Sequence, residues 1–508
     1  MASVTYCAGM NMCTRALALV ATFLLASPAT ARVRLVCNGS SYPCPRNAAY
    51  QTIASAILHA ASGDWVLVWP GVYYEKGSDQ AGVLITTPGV HLRGLDRNLV
   101  VVDGSNGTAV APCPADPALQ DLTPRNGVEA FKVSGTSIEN LTVCNYLSST
   151  SGEAGNEIWW NGGDGSGTIG MGSYSGSYLT ATSMFYAGPN EPMAQYGIFA
   201  SNASGPGSIT NSYASNMGDS AFYVGACPDC NAVLSHVHAQ NSALAYSGTN
   251  SGGNLRIEDS EWDLNKTGIV PNSLNNDDAP PPQSGLCPSG TGSCTLIQRN
   301  FVHDNNNPNV PAFGIAGEAP VGAGIEISGG MFDTVVDNRV ENQGAWGIVI
   351  HDFPDTETPP PVAHCEGGIQ EGAVCVFNAK GNLVLQNQLA HNGFFGNPTN
   401  GDLGNESTSN PKNCFDANTD AAGLTSDPPN IQSASVDGPP CEAPGPGDSG
   451  ALLSQLACAA GAAPCPPGSS YPQPTQVQML PLGRQPPMPD PCQGVPRNPW
   501  CPYGGPHS

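Results

Sequence analysis

Positive charge is what this chain has least of. Its 508 residues carry 17 Lys+Arg against 41 Asp+Glu, a formal net charge of −24, and only five of the 17 cations are lysines. A surface this acidic repels phosphate backbones, so a nucleic-acid partner is not expected. Charged residues of both signs make up 11% and aromatics 7%, yet 40% are hydrophobic, which argues against wholesale disorder. There is no collagen-like glycine period and no heptad run. Long apolar runs are also missing: the longest, Ala16 to Ala26, has 11 residues, too few to cross a bilayer core about 30 Å thick.

That short run follows Arg15 and precedes Ala29-Thr30-Ala31, a small-residue cleavage pattern. Residues 1–31 therefore read as a secretory signal peptide, and the remainder as an exported, extracellular protein with no transmembrane segment. Cysteine usage points the same way. Of 18 cysteines, Cys7 and Cys13 leave with the signal and 16 remain, an even number that suits disulfides in an oxidising compartment. Close neighbours offer local pairs: Cys37/Cys44, Cys227/Cys230, Cys287/Cys294, Cys365/Cys375, Cys458/Cys465 and Cys492/Cys501. Cys227 and Cys230 have redox spacing but no βαβ context, and with His236 and His238 they could form a zinc set; a small disulfide is the expected reading.

Glycine (61) and proline (47) punctuate the chain, and between them short apolar strands recur. Gly197-Ile198-Phe199, Ala221-Phe222-Tyr223, Leu244-Ala245-Tyr246, Gly268-Ile269-Val270, Gly324-Ile325-Glu326 and Gly347-Ile348-Val349 are spaced 24, 23, 24, 56 and 23 apart. A second series, an apolar residue followed two later by a short polar one, runs in register with them and ends at Asn140, Asn211, His236, Asp259, Arg299, Asn338 and Asn387. A period near 23 with three short strands predicts a β-coil. Stacked coils would form three parallel sheets around one apolar core, with an asparagine ladder at a tight corner (Asn140, Asn211, Asn338, Asn387, with Asp259 as a variant) and distorted corners at His236 and Arg299.

The start of the mature chain supplies a cap. Asn47 to Ala61 has a helical apolar period at Ile53, Ala56, Ile57 and Ala60. Ser62-Gly63-Asp64, the strand Trp65 to Trp69, Pro70-Gly71-Val72-Tyr73, Arg93-Gly94 and Val102-Asp103-Gly104 follow. This run resembles the N-terminal cap of right-handed parallel β-helix proteins of the pectin-lyase-like type, and the middle coils are similar to their generic repeats. The resemblance covers about residues 46–395. It implies an all-β solenoid of residues 32–395 with a capping helix. From about Gly396 onward Pro, Gly, Ser, Asn and Cys dominate and no coil pattern survives, so residues 396–508 read as a Pro/Gly/Cys-rich tail able to contact the cell envelope. The family includes polysaccharide lyases, hydrolases, uronate epimerases, phage depolymerases and non-catalytic surface proteins, so an extracellular polysaccharide is the implied partner.

The ladder spacing grows to 40, 39 and 49 in the later coils, which places insertions at about 271–294, 304–323 and 352–380. All three flank the strands of the first series and bracket a cleft. Alternation along those strands turns Glu326 and His351 outward, diagonal to one another, with Asp352 at a loop entrance and Lys266 nearby. On an acidic polysaccharide, His351 or Lys266 is the candidate base for proton abstraction in a lyase or epimerase. Asp277 and Asp278, in the first insertion, are candidate ligands for a calcium ion that would neutralise the uronate. Hydrolysis would instead use two carboxylates such as Glu326 and Asp352. Trp159 and Trp160 are candidate sugar-stacking residues. The Gly-His-Gly and Arg-Ile-Lys pieces of polygalacturonase-type hydrolases are missing. The alternative reading is a non-catalytic envelope or matrix protein that binds a glycan or partner along the coil.

Overall fold

A computed structural model describes residues 31–274, 293–356, 365–407, 413–432 and 450–503. All but the last residue of the expected signal peptide lies outside the described residues. Each coil contributes one strand to each of three sheets. Residues Tyr196–Ser201, Gly207–Thr210 and Tyr213–Ser215 form one such turn, and Ser220–Gly225 begins the next directly beside Tyr196–Ser201. The three sheets have 11, 12 and 10 strands and are called I, II and III in coil order. Every pairing within them is parallel, and the architecture is the expected right-handed parallel β-helix.

Inward-facing Ile, Val and Ala line the cylinder, with Trp160, Tyr246, Phe222 and Trp262 filling its bore. Each strand is too short to bury a face alone, so the stack supplies the core. The capping helix is shorter than its periodicity suggests, Ile53–Leu58, because Ala49 and Tyr50 hydrogen-bond to the first strand, Val33–Val36. Thr52 caps the helix and Glu75 accepts from the amides of Ile53 and Ala54.

Asparagine ladders do form, but in a different register. At the sheet II–III corner, Asn140, Asn211, His236, Asp259, Arg299, Asp337 and Gln386 all take left-handed backbone angles, so the His236 and Arg299 corners are not distorted. The internal ladder lies one residue further along, where Asn300, Asn338, Asn387 and Asn418 each accept from the backbone amide of the coil before, Asn300 excepted as the first rung. Asn140, Asn211 and Asp259 are therefore not rungs of it. A second stack, Asn265–Asn305–Gln343–Asn392, and a third, Asp333–Asn382–Asn413, line the other two corners. Burial pushes the Asp333 carboxyl up to about 7, since it occupies an amide's place in the third stack.

Coils continue past residue 395. Strands Gly401–Asn405, Cys414–Asp416 and Ser426–Asp427 add rungs to sheets I and II. Leu403 is the lone apolar residue of the first, so the repeat pattern fades in sequence while the ladder persists. The described part of the tail lies on the coil. Helix Ala451–Ala460 packs on Trp346 and Val349 of sheet I. Extended chain then returns along the coil. Asn309 accepts from Thr475 and Gln476, Asn241 donates to Gln478, Asn216 to Leu480, Arg97 to Pro486 and Arg93 to Gln493. Trp500 ends against Trp69.

Five expected local disulfides are present, Cys37–Cys44, Cys227–Cys230, Cys365–Cys375, Cys458–Cys465 and Cys492–Cys501, together with Cys113–Cys144. Cys287 lies outside the described residues. The Cys227–Cys230 disulfide removes the zinc set, and His238 hydrogen-bonds to Asp263 instead. No helix among the described residues is long and apolar enough to cross a membrane.

Candidate functional site

Strand alternation builds an outward column on sheet I. Pairing aligns Glu129, Trp159, Phe199, Tyr223, Ser247 and Val270 on successive rungs. Ile269 pairs with Ile325, so Glu326 follows Val270, and Glu326 itself pairs with Val349. A second outward column runs Thr249, Asn272, Ser328, His351. Loops rise on either side of these columns and turn the sheet face into a groove.

The groove has two connected parts. The larger, about 540 Å³, is floored by Tyr223, Ser247, Asn272, Glu326 and His351 and walled by Phe313 to Pro320 and by Asp352 to Thr356. The smaller, about 430 Å³, lies over Trp159, Asn161 and Ser201, and both share Gln195, Tyr196 and Phe199. Five rung steps separate the strand of Trp159 from that of Glu326, about 24 Å at the strand spacing.

One end is an aromatic platform. Trp159 stacks on Phe199 with ring centroids 4.8 Å apart and planes 3° from parallel, and Tyr223 meets Phe199 edge-on at 4.6 Å. The Trp159 indole N–H donates to Ser201 Oγ at 3.0 Å. Trp160 does not share this role. It is the next residue on a strand, so it points inward, is 0% exposed and packs beside Tyr174 in the core.

The other end carries Glu326 and His351, the pair that alternation predicts. Glu326 Oε1 lies 2.8 Å from His351 Nε2, and His351 Nδ1 lies 2.9 Å from the Asp352 carbonyl. A carbonyl only accepts, so Nδ1 carries a proton; the Nε2 contact then holds a further proton between imidazole and carboxylate. Burial pulls the His351 pKa down, but the hydrogen bond and charge of Glu326, the Asp352 carbonyl and the Glu406 charge outweigh it, and the net shift is upward. Glu326 is 3% exposed and its Oε2 has no hydrogen-bond partner.

Two other candidates take different roles. Asp352 accepts from Asn378 Nδ2 at 2.8 Å, from the Ala379 amide at 2.9 Å and from Ser407 Oγ. Both its oxygens are engaged in tying the third insertion to the last coils. Lys266 Nζ donates to the Gly317 carbonyl at 2.6 Å and holds the second insertion down. Burial lowers its pKa to about 8, against the opposing charges of Glu326 and Glu318. Asp277 and Asp278, the candidate calcium ligands, lie outside the described residues.

The second and third of the expected insertions wall the groove, and residues 275–292 of the first lie outside the described residues. The second holds the short helix Gly314–Gly317, and the third is a three-stranded antiparallel flap pinned by Cys365–Cys375. One wall was not visible in the sequence. Leu453, Leu456, Ala457 and Ala460 of the tail helix line the groove beside the flap. Phe199 and Tyr223 also escaped the sequence reading, although they stand in the same strand phase as Glu326.

No protein-family model matches the chain, and no curated protein matches its sequence. Solved structures similar to it include the Azotobacter vinelandii mannuronan C-5 epimerase AlgE4 A-module, at 13% identity and a TM-score of 0.41, covering 72% of this chain and 84% of that one. Another is pectate lyase Pel9A, at 12% identity and 0.40, covering 80% and 79%. A third is a tailspike protein of E. coli bacteriophage HK620 in complex with pentasaccharide, at 13% identity and 0.45, covering 77% and 64%.

Proposed function

We propose that the outer face of sheet I binds a polysaccharide strand lengthwise and that Glu326 and His351 move a proton on the sugar held beside them. The observation that carries this reading is Glu326, a buried carboxylate with one oxygen on His351 and the other without a partner, on the floor of a groove that runs on to an aromatic platform. Unpartnered buried carboxylate oxygens are costly, and groove-lining ones are found where a substrate completes them. A mobile proton between Glu326 and His351 suits general acid–base work. In elimination or epimerisation the pair would take the proton at C5 of a uronate; in cleavage without elimination it would give one to the glycosidic oxygen. Six disulfides among the described residues fit an exported protein.

The test is a panel of polysaccharides offered to the purified protein, with binding followed by calorimetry and products by reducing ends and by the ultraviolet absorbance of an unsaturated sugar. Glu326→Gln and His351→Ala are expected to bind as the parent does and to form no product. Product formation unchanged in both variants would remove the pair from the chemistry. Binding with no product from the parent protein would favour a non-catalytic glycan-binding protein, and no binding at all would end the proposal.

A further inference from the structure

We infer that the glycan this groove takes is uncharged, a neutral polysaccharide in place of a polyuronate. The inference rests on the groove reading above and narrows it.

The first observation is charge. The groove residues include Asp164, Asp219, Glu318, Glu326 and Asp352, and among the described residues lining it none is lysine or arginine. The two nearest cations are already engaged. Lys132 pairs with Asp164 at the aromatic end, and Lys266 is tied to the Gly317 carbonyl at the other. Of the other cations, Arg256 lies on sheet II, Arg299 at its corner with sheet III, Arg339 on sheet III, Arg93 and Arg97 under the returning tail, and Lys76 and Arg125 pair with Asp121. A polyuronate would lay one carboxylate per sugar along an acidic trough whose cationic group, His351, is already paired with Glu326.

The second observation is hydrogen-bonding sense. Three oxygens in the groove wall have no partner, Asn156 Oδ1, Asn272 Oδ1 and Glu326 Oε2, and all are acceptors. The Asn272 amide nitrogen is already committed, donating to Ser247 Oγ at 3.1 Å and to the Val270 carbonyl at 3.2 Å. What these positions lack is a donor. Sugar hydroxyls donate; an ionised carboxylate only accepts. The third observation is the platform. A flat Trp159–Phe199 pair offers an apolar surface to the C–H face of a sugar ring, a contact that needs no charge.

The experiment measures binding of the full mature protein to two sets of oligosaccharides, neutral (β-linked glucan, mannan and xylan fragments) and uronic (polygalacturonate and alginate fragments). Each is run once with calcium and once with EDTA. A neutral fragment is expected to bind equally in both media. Trp159→Ala should weaken it by about tenfold or more, as expected of a buried aromatic anchor, and Asn272→Leu should weaken it further. A uronic fragment bound in calcium, weakened by Trp159→Ala, with no neutral fragment bound, would overturn the inference and leave the groove standing. No fragment of either set bound would overturn the groove itself.

Discussion

Replacing Glu326 by glutamine isolates what the His351–Glu326 contact does. The amide introduced by Glu326→Gln would keep the shape and one hydrogen bond to the imidazole but lose the charge. In the parent, burial works against the imidazolium and Glu326 overcomes it, so the folded-state pKa of His351 stands above its unfolded value near 6.5. A raised folded pKa stabilises the protein at pH values below the unfolded one, and the contribution is lost as pH rises through the folded value. In the variant, burial is left without its main opponent and the shift reverses. Protonating His351 then leaves a buried cation beside an uncharged amide, so stability falls as pH drops through 6.5. Removing one partner of a buried ion pair costs about 3–5 kcal/mol. The variant should therefore trail the parent by about that much at acid pH and by much less in alkali, where the imidazole is neutral. Each unit separating the two His351 pKa values contributes about 1.36 kcal/mol to the acid-side difference. Urea titrations across the pH range, with the imidazole carbons followed by NMR, read both quantities. A stability gap that is the same in acid and alkali would refute the ionic reading of the pair.

The two neighbouring tryptophans should part company. Trp160→Ala is expected to cost about 3–5 kcal/mol in urea unfolding, as a buried aromatic truncation does, whereas Trp159→Ala should leave the midpoint nearly unchanged. The Asn387 side chain makes four ladder contacts, accepting from the Asn338 amide and side chain and donating to the Val335 carbonyl and to Asn418 Oδ1. Asn387→Ala orphans buried backbone groups at about 1–3 kcal/mol each, and hydrogen exchange should rise first at Asn338. Ending the chain at residue 450 removes the helix that lines the groove and covers Trp346; glycan binding should weaken, and limited proteolysis should then cut within the flap of residues 365–377.

The solenoid was legible because its signal is periodic: inward Ile and Val at fixed phase repeat often enough to survive individual departures. The Glu326–His351 contact was legible for the same reason, since alternation alone places both outside and one rung apart. The ladder register was harder. Asn338 and Asn387 follow Asp337 and Gln386, which take the left-handed corner, and adjacent polar residues look equivalent in sequence. Lys266 and Asp352 show another limit. Strand phase brings a charged side chain to the cleft, but whether a loop carbonyl or a neighbouring amide has already claimed it depends on contacts between residues 26 to 55 positions apart. The tail was illegible because proline-rich extended chain has no period. Its conformation is set by the asparagines and arginines of coils hundreds of residues away.

That returning segment changes the physics of the whole array. In an open solenoid each coil touches only its neighbours, so ends unzip coil by coil and the middle is indifferent to them. Here the last residues lie on the first coils: Val495 packs with Leu35 and Leu67, and the carbonyl of Gln493 receives Arg93. The two ends are thereby wired into one circuit, and neither can fray until the returning chain has been peeled from the outside. Synthesis runs in the opposite sense. The N-terminal coils are made first and stand without their outer cover until residues 475–501 arrive, so covering them is a late, long-range closure.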